Sequence, residues 1–374
     1  MKLNIFDLQR FADGGGALVN ATDTYVNAYT GTKTAFDTTN TLSGELKTFY
    51  DTELLENARA EMYYAQFGKK QPLPKNHGKT VEWRKWNTFA RASKLQEAVI
   101  PTGQKFGMSS KTGSIDQYGT YAAISDQLEL HAYDDVILGA TEEMGASAAE
   151  TQEVLIRDAL LTNTNVLYCD NIDKESGKVL STPTSCATMG AGGETAASGG
   201  GSATPHGWSL LTPDMVNKAV TKLQKDRVPT INGKYVAIVH PSVIYDLRSS
   251  DEWIEAHKYA SPEEIYNGEI GELHGVRFIR NTFAPILGGD SYKNKDGGVT
   301  YATYFLGKDA FGIIDPDGGA LEMIVKDKSQ AGGPLNQFST IGYKFETNGA
   351  TILYTERVLR VMSCSSYSAT DTTN

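Results

Sequence analysis

His240, His257 and His274 fall in or beside one compact stretch of the 374-residue chain, Val236 to Ile279. His257 and His274 flank a loop carrying Glu263, Glu264, Glu269 and Glu272. Imidazoles and carboxylates are ligands for zinc-like ions and the usual groups of acid–base catalysis. Two histidines seventeen residues apart have room to converge on a metal. The simpler reading is a loop stitched by hydrogen bonds with its carboxylates in water. His240, ahead of Pro241, reads as a strand-end residue hydrogen-bonded to backbone. Trp83, Trp86 and Trp253 offer ring faces for sugars or bases, yet aromatics in arms and loops more often pack against the body or a partner subunit. Cys169, Cys186 and Cys364 are far apart, with no Cys-x-x-Cys pair, which argues against zinc and redox motifs. The chain has no phosphate-cradling glycine–lysine loop, no His-Glu-x-x-His and no Gly-x-Ser-x-Gly. The glycine-rich run near residues 190–201 lacks the flanking strand and helix of a dinucleotide site. Asp315 and Asp317 around Pro316, followed by Gly318 and Gly319, read as a turn. The residues therefore predict no catalytic site, no metal site and no cofactor.

Composition narrows the class. Thirty-five basic against forty-five acidic residues give a net charge of −10, a surface that repels free nucleic acid. Lys69–Lys70 and the spaced Lys79, Arg84 and Lys85 read as a solvated strand face. An apolar fraction of 40% with 10% aromatics supports a real core, and 37 glycines, many between strand-like runs, favour a β-rich fold with many turns. No apolar run approaches the roughly 18–20 residues that cross a bilayer. The opening MKLNIFDLQRFADGGG is interrupted by Asn4, Asp7, Gln9 and Arg10, unlike a signal peptide's apolar stretch. A reducing cytoplasm suits the three cysteines.

The elements that must position these groups follow from periodicity. Residues 1–48, rich in Thr, Asn, Asp and Gly, read as an extended arm ordered by partners. Residues 50–66 predict a helix on Leu54, Leu55, Ala58, Met62 and Ala65, ended by Gly68 and the Pro72/Pro74 pair. Lys79–Trp86 alternates, Val81 and Trp83 opposite Glu82, Arg84 and Trp86, and Ile115–Ile124 reads as its return strand. The nearly thirty residues between them suggest a long two-stranded arm, which is marginal alone and implies a neighbour to lie on. Residues 132–168 give the strongest helical signal, with Val136, Ala140, Met144, Ala148, Leu155, Ala159 and Val166 on one stripe and Asp134 and Asp135 at its start. A continuous helix from 134 to 168 would be about 50 Å long at ~1.5 Å per residue. Residues 170–206 read as a flexible surface loop within a domain. Residues 213–226 predict a helix capped by Thr212 with Pro213 at its first position. Tyr235–Val239 predicts a short buried strand, and Pro241 starts a helix through Leu247. Val276–Arg280, Thr300–Leu306, Leu321–Lys326, Gly342–Thr347 and a long Ala350–Met362 are strand candidates.

Two blocks carry a resemblance. Gln66–Trp86, QFGKKQPLPKNHGKTVEWRKW, is similar to a segment in which a helix leads through FG and LPKN-GKT into a strand. The second block holds HPSVIYDLR, WIEAHKY and NGEIGELHGVRF, and GTYAAISD precedes the long helix in the same order. Together they resemble the N4-like family of tailed-bacteriophage major capsid proteins over roughly residues 50–362. That resemblance implies an α+β tailed-phage capsid fold. It implies an N-terminal arm at 1–48, a helix leading into the loop at 49–74, an extended two-stranded loop at 75–124 and a peripheral domain with a spine helix at 125–169. A mainly axial domain with its Gly/Ser loop would follow at 170–315, and 316–374 would return to the peripheral domain and the tail. The implied function is a non-enzymatic head protein that self-assembles as pentamers and hexamers into an icosahedral shell around double-stranded DNA, in the virion after assembly in the host cytoplasm. Scaffold, portal and decoration proteins would be its partners, and packaged DNA would be met only by non-specific proximity, with no membrane. Trp83, Arg84, Trp86, Arg91, Glu97 and Trp253 are the assembly-interface candidates. The alternative is a surface or tail binding module forming a small oligomer.

Overall fold

The computed structural model describes residues 24–26, 33–35, 63–92, 94, 97, 100, 103–131, 136–195, 204–205, 207–257, 269–317, 321–327 and 337–374. The chain divides into two units, Met1–Asn57 and Ala58–Asn374. In the first, Thr24–Val26 pairs antiparallel with Lys33–Ala35, a short ladder where only an extended arm was expected. Most of the helix expected over 50–66 lies outside the described residues.

The second unit runs through α1 (Tyr64–Phe67), β1 (Lys69–Leu73), β2 (Thr80–Trp86), β3 (Met108–Ser114), β4 (Asp116–Ser125), α2 (Asp126–His131), α3 (Val136–Leu161) and β5 (Val166–Tyr168). It continues with α4 (Pro213–Lys225), β6 (Tyr235–Val239), α5 (Pro241–Arg248), α6 (Asp251–His257), β7 (Glu269–Leu273), β8 (Val276–Arg280) and β9 (Thr300–Leu306). The last elements are β10 (Phe311–Pro316), β11 (Glu322–Lys326), β12 (Phe338–Thr347) and β13 (Val358–Ser363).

The largest sheet has the order β7-β8-β6-β9-β13-β5, with Ile286–Leu287 added to β9. β6 and β8 are parallel, and β6–β9 and β9–β13 are antiparallel. β6, β9 and β13 are buried along their whole lengths, because both faces of the sheet are covered. Tyr235, Ala237 and Val239 face one cluster with Met215, Leu223, Val243 and Leu247 of α4 and α5. Val236 and Ile238 face the other, with Tyr64, Ile156, Leu160 and Phe311. The capped helix at 213 forms as its signals require: the Thr212 side chain accepts from the Met215 amide, and Pro213 sits in the first turn.

A three-stranded antiparallel sheet, β11-β12-β4, packs Tyr343 and Phe345 against Ala148 of α3. β1 pairs in parallel with β10, which also receives Thr351–Ile352. β2 and β3 form a separate two-stranded ribbon.

Several expectations are corrected. The return strand of the ribbon is Met108–Ser114, not Ile115–Ile124; β4 instead pairs with β12 over ten residues. α3 ends at Leu161, so its 26 residues span about 39 Å at ~1.5 Å each. Val166 is a strand residue because Val166–Tyr168 takes its ladder from β13. The buried side of α3 is Glu153, Ile156, Arg157 and Leu160, shifted from the expected stripe, of which Ala148 alone is buried among the described side chains. The expected long strand 350–362 is broken by a 3-10 turn at Thr355–Arg357, and β13 joins the large sheet. Asp315 and Pro316 continue β10, opposite Pro72 and Leu73, so Pro72 lies in a strand and the turn begins at Asp317. Residues 170–195 are more than a surface loop: Asn171–Ile172 pairs with Val179–Ser181, and Cys186 and Met189 are buried.

Candidate interaction surface

The ribbon β2–β3 holds Trp83, Arg84 and Trp86 among the predicted interface residues. Its register runs from Thr80 opposite Ser114 to Trp86 opposite Met108. Beyond the ladder, the Asn87 amide donates to the Gly107 carbonyl at 2.9 Å. The Gln104 side chain then clamps Ala90, accepting from its amide at 2.8 Å and donating to its carbonyl at 3.2 Å. The ribbon is thus extended by side-chain bonds past its last backbone pair.

Alternation along β2 gives its two faces opposite roles. Val81 and Trp83 are half-buried, and Glu82, Arg84 and Trp86 are exposed, as the sequence pattern requires. Trp83 lies against two glycines: a Cβ on Gly113 would fall 2.9 Å from its ring, and one on Gly312 would fall 2.8 Å away. Those glycines let the indole bridge the ribbon and β10, although its Nε1 is buried without a partner among the described residues. Lys85 adds a second fastening, 3.6 Å from the Glu356 carboxylate and over the Tyr354 ring, which Arg357 also covers. Trp83 is therefore an intrachain anchor of the arm.

Farther out, the Trp86 and Phe106 rings stack with centroids 4.3 Å apart, and Phe89 stacks on Phe106 at 5.2 Å. Trp86 is 61% exposed, and Phe89, Phe106 and Met108 are also exposed. A contiguous exposed apolar strip is the kind of surface on which proteins associate. Arg84 donates to the Glu82 carboxylate at 3.0 Å on its own strand. The Ser110 hydroxyl across the ladder, together with Arg84, holds the Glu82 carboxyl below the usual range. Arg91 and Glu97 are exposed. Trp253 is corrected as a surface candidate: it is 5% exposed and packs edge-on against Phe278 in the core. Phe89 and Phe106 were missed, because the polar residues between them carry no period.

His240 and His274 sit in separate places, and the His257 side chain lies outside the described residues. His240 closes β6 and caps α5, its Nδ1 accepting from the Ser242 amide at 3.2 Å, which is the backbone role expected. Burial lowers its pKa, against the opposing pull of Asp371. His274 sits exposed at the β7–β8 turn with φ 51°. His257 ends α6, and Glu263 and Glu264 lie outside the described residues. Glu272 pairs with Lys234. Among the described residues no three His, Cys, Asp or Glu side chains gather as a metal site.

The buried carboxyl of Glu153 is structural. Glu153 of α3 accepts from the Tyr63 amide at 2.9 Å, the Tyr64 amide at 3.1 Å and the Asn281 side chain at 2.7 Å. Burial raises its pKa, and these bonds oppose the rise. It ties α1, α3 and the end of β8 together.

A family model described as phage capsid protein matches residues 109–345. No curated protein matches the chain. The capsid of cyanophage P-SCSP1u is similar with a TM-score of 0.60 and 14% identity, covering 90% of this chain and 96% of that one. The cyanophage Pam1 capsid protein is similar at 0.61 and 12%, over 87% and 98%. The capsid of Ralstonia phage GP4 is similar at 0.58 and 13%, over 86% and 96%. The architecture shared with these chains is the α+β fold of tailed-phage capsid proteins.

Proposed function

This chain belongs to the phage capsid protein family and is a major capsid protein, and from that premise we propose that it is of the N4-like branch and builds its shell through the β2–β3 arm. The blocks at Gln66–Trp86 and Val236–Ile279 support the N4-like assignment. The shell is icosahedral and encloses double-stranded DNA. The exposed Trp86–Phe106–Phe89 stack carries the arm reading, since a two-stranded ribbon with an apolar strip is marginal until a neighbour covers it. Heterologous contacts between identical subunits close into rings of five and six. In this scheme Trp86, Arg84, Arg91 and Glu97 meet the neighbouring subunit, and Trp83 sets the arm's angle from within.

The domain division proposed is an N-terminal arm at 1–48, an extended loop at 75–124 reached through 49–74, a peripheral domain at 125–169 rejoined by 316–374, and an axial domain at 170–315. It is amended at β4, which leaves the ribbon to pair with β12, and at β5 and β13, which belong with the large sheet. The protein acts structurally, without catalysis, in the virion. It assembles in the bacterial cytoplasm with scaffold, portal and decoration proteins, and meets packaged DNA only by proximity. No described helix is long and apolar enough to cross a membrane. The test is electron microscopy of the overexpressed protein beside its mass in solution. Hollow shells, or rings of five and six, are expected. A uniform monomer or trimer that never assembles, even with scaffold and portal present, would establish the small-oligomer binding module instead.

A further inference from the structure

A second surface stands apart from the arm, where the parallel strands β6 and β8 end and α5 begins. A groove of about 520 Å³ is lined by Pro241, Ile244, Tyr245, Arg248, Arg280 and Tyr367. Tyr245 and Tyr367 pack against each other with centroids 5.3 Å apart, and they are 54% and 68% exposed. The pair is held in place from below. The Ser366 amide donates to the buried Asp246 carboxylate at 3.0 Å, and the Ser366 hydroxyl donates to its other oxygen. The Tyr367 amide donates to the Ser365 hydroxyl at 3.1 Å. Asp246 is thereby turned inward, and Arg248 and Arg280 form no ion pair among the described residues.

We propose that this groove receives a carboxylate-bearing segment of a second copy of the chain, a subunit contact separate from the arm. The inference rests on the shell reading and adds to it a partner chemistry for this site. Fixed tyrosines and arginines are the side chains on which protein contacts concentrate their energy, because their rings and planar forks lose little freedom on binding. Two guanidiniums without a carboxylate partner among the described residues offer bidentate sites. The complementary charge is at hand in the chain itself, with ten more acidic than basic residues. Acidic surfaces that must meet in a shell need cations at the points of approach, because like charges left facing repel and suppress association. A nucleic-acid ligand is disfavoured, since two cations on so acidic a chain make no phosphate-tracking stripe.

The test incorporates the photo-crosslinking residue p-benzoylphenylalanine in place of Tyr367, an exposed position, and irradiates assembled shells. The expected product joins two copies, and mass spectrometry finds the partner peptide rich in Asp or Glu. In parallel, Arg248→Glu with Arg280→Glu lowers shell yield at least tenfold without changing the melting temperature of the unassembled subunit. A crosslink to DNA or to another protein, no crosslink within shells, or an undiminished shell yield would each overturn the groove contact and leave the capsid reading standing. A wild-type protein that forms no shells at all would overturn the capsid reading itself.

Discussion

Replacing Trp83 by alanine should loosen the arm without unfolding the body. The indole is half-buried, and a tryptophan buries up to about 250 Å² when fully covered. Half of that at ~25 cal/mol per Å² is about 3 kcal/mol of lost burial. Part is returned, because the same substitution removes an Nε1–H that is buried without a partner, a defect costing about 1 kcal/mol or more. The net loss of about 2 kcal/mol falls on the contact between the ribbon and Gly312, not on the large sheet. Hydrogen exchange resolves such local opening. Amide protection across Val81–Trp83 and Lys111–Gly113 should fall about 30-fold, the equivalent of 2 kcal/mol, and protection in β6 and β9 should hold. Trp83→Phe is the control. It keeps a six-membered ring against both glycines and drops the orphaned N–H, so it should stay within ~1 kcal/mol of wild type. Unchanged exchange in Trp83→Ala, or equal damage from Trp83→Phe, would refute the anchoring argument.

Trp86→Ser combined with Phe106→Ser removes the exposed stack; subunit stability should change by no more than about 1.5 kcal/mol, the range for an aromatic pair, and shell formation seen by electron microscopy should be lost. Glu153→Ala orphans two backbone amides and the Asn281 side chain in a buried site and should cost about 3–5 kcal/mol in urea unfolding, with Glu153→Gln milder because one acceptor oxygen remains. His240 has a lowered pKa in the folded chain, chiefly through burial. Its contribution to stability is therefore complete above the ordinary histidine range near pH 6.5 and is lost as pH falls below it. His240→Asn preserves a capping side chain and removes the titration, so its melting temperature should drop less than that of wild type between pH 7 and pH 5.

What could be read from the sequence was what the sequence encodes locally. Thr212 and Pro213 define the start of α4 by side-chain bond and fixed φ, and both act within three residues. Tyr235–Val239 announces itself by an unbroken apolar run, and His240–Pro241 marks the passage into α5. Glu153 could not be read: its partners lie about 90 and 128 residues away, and as one acid on a helix it looks like a solvated residue. The end of α3 was likewise hidden, because Val166–Tyr168 continues a helical apolar rhythm and becomes a strand only through its ladder with β13.

The arm shows why partner choice is the harder problem. Ile115–Ile124 alternates as a return strand should, whereas MSSKTGS at 108–114 is polar and contains a glycine, so pattern alone selects the wrong partner for β2. The actual selection is made by packing. Gly113 is needed because any Cβ there would strike Trp83 and Thr351, and beyond Ile115, buried at the join, β4 pairs its ten residues with β12. A strand with polar residues on both faces is tolerated in β3 because only Gly113 of it is buried. The same reasoning bears on function: the ribbon's apolar residues are concentrated at Trp86, Phe89, Phe106 and Met108, beyond the anchor at Trp83, where within this chain they stack chiefly on one another. In the proposed assembly their burial comes from a neighbouring subunit, which is the role argued for the arm.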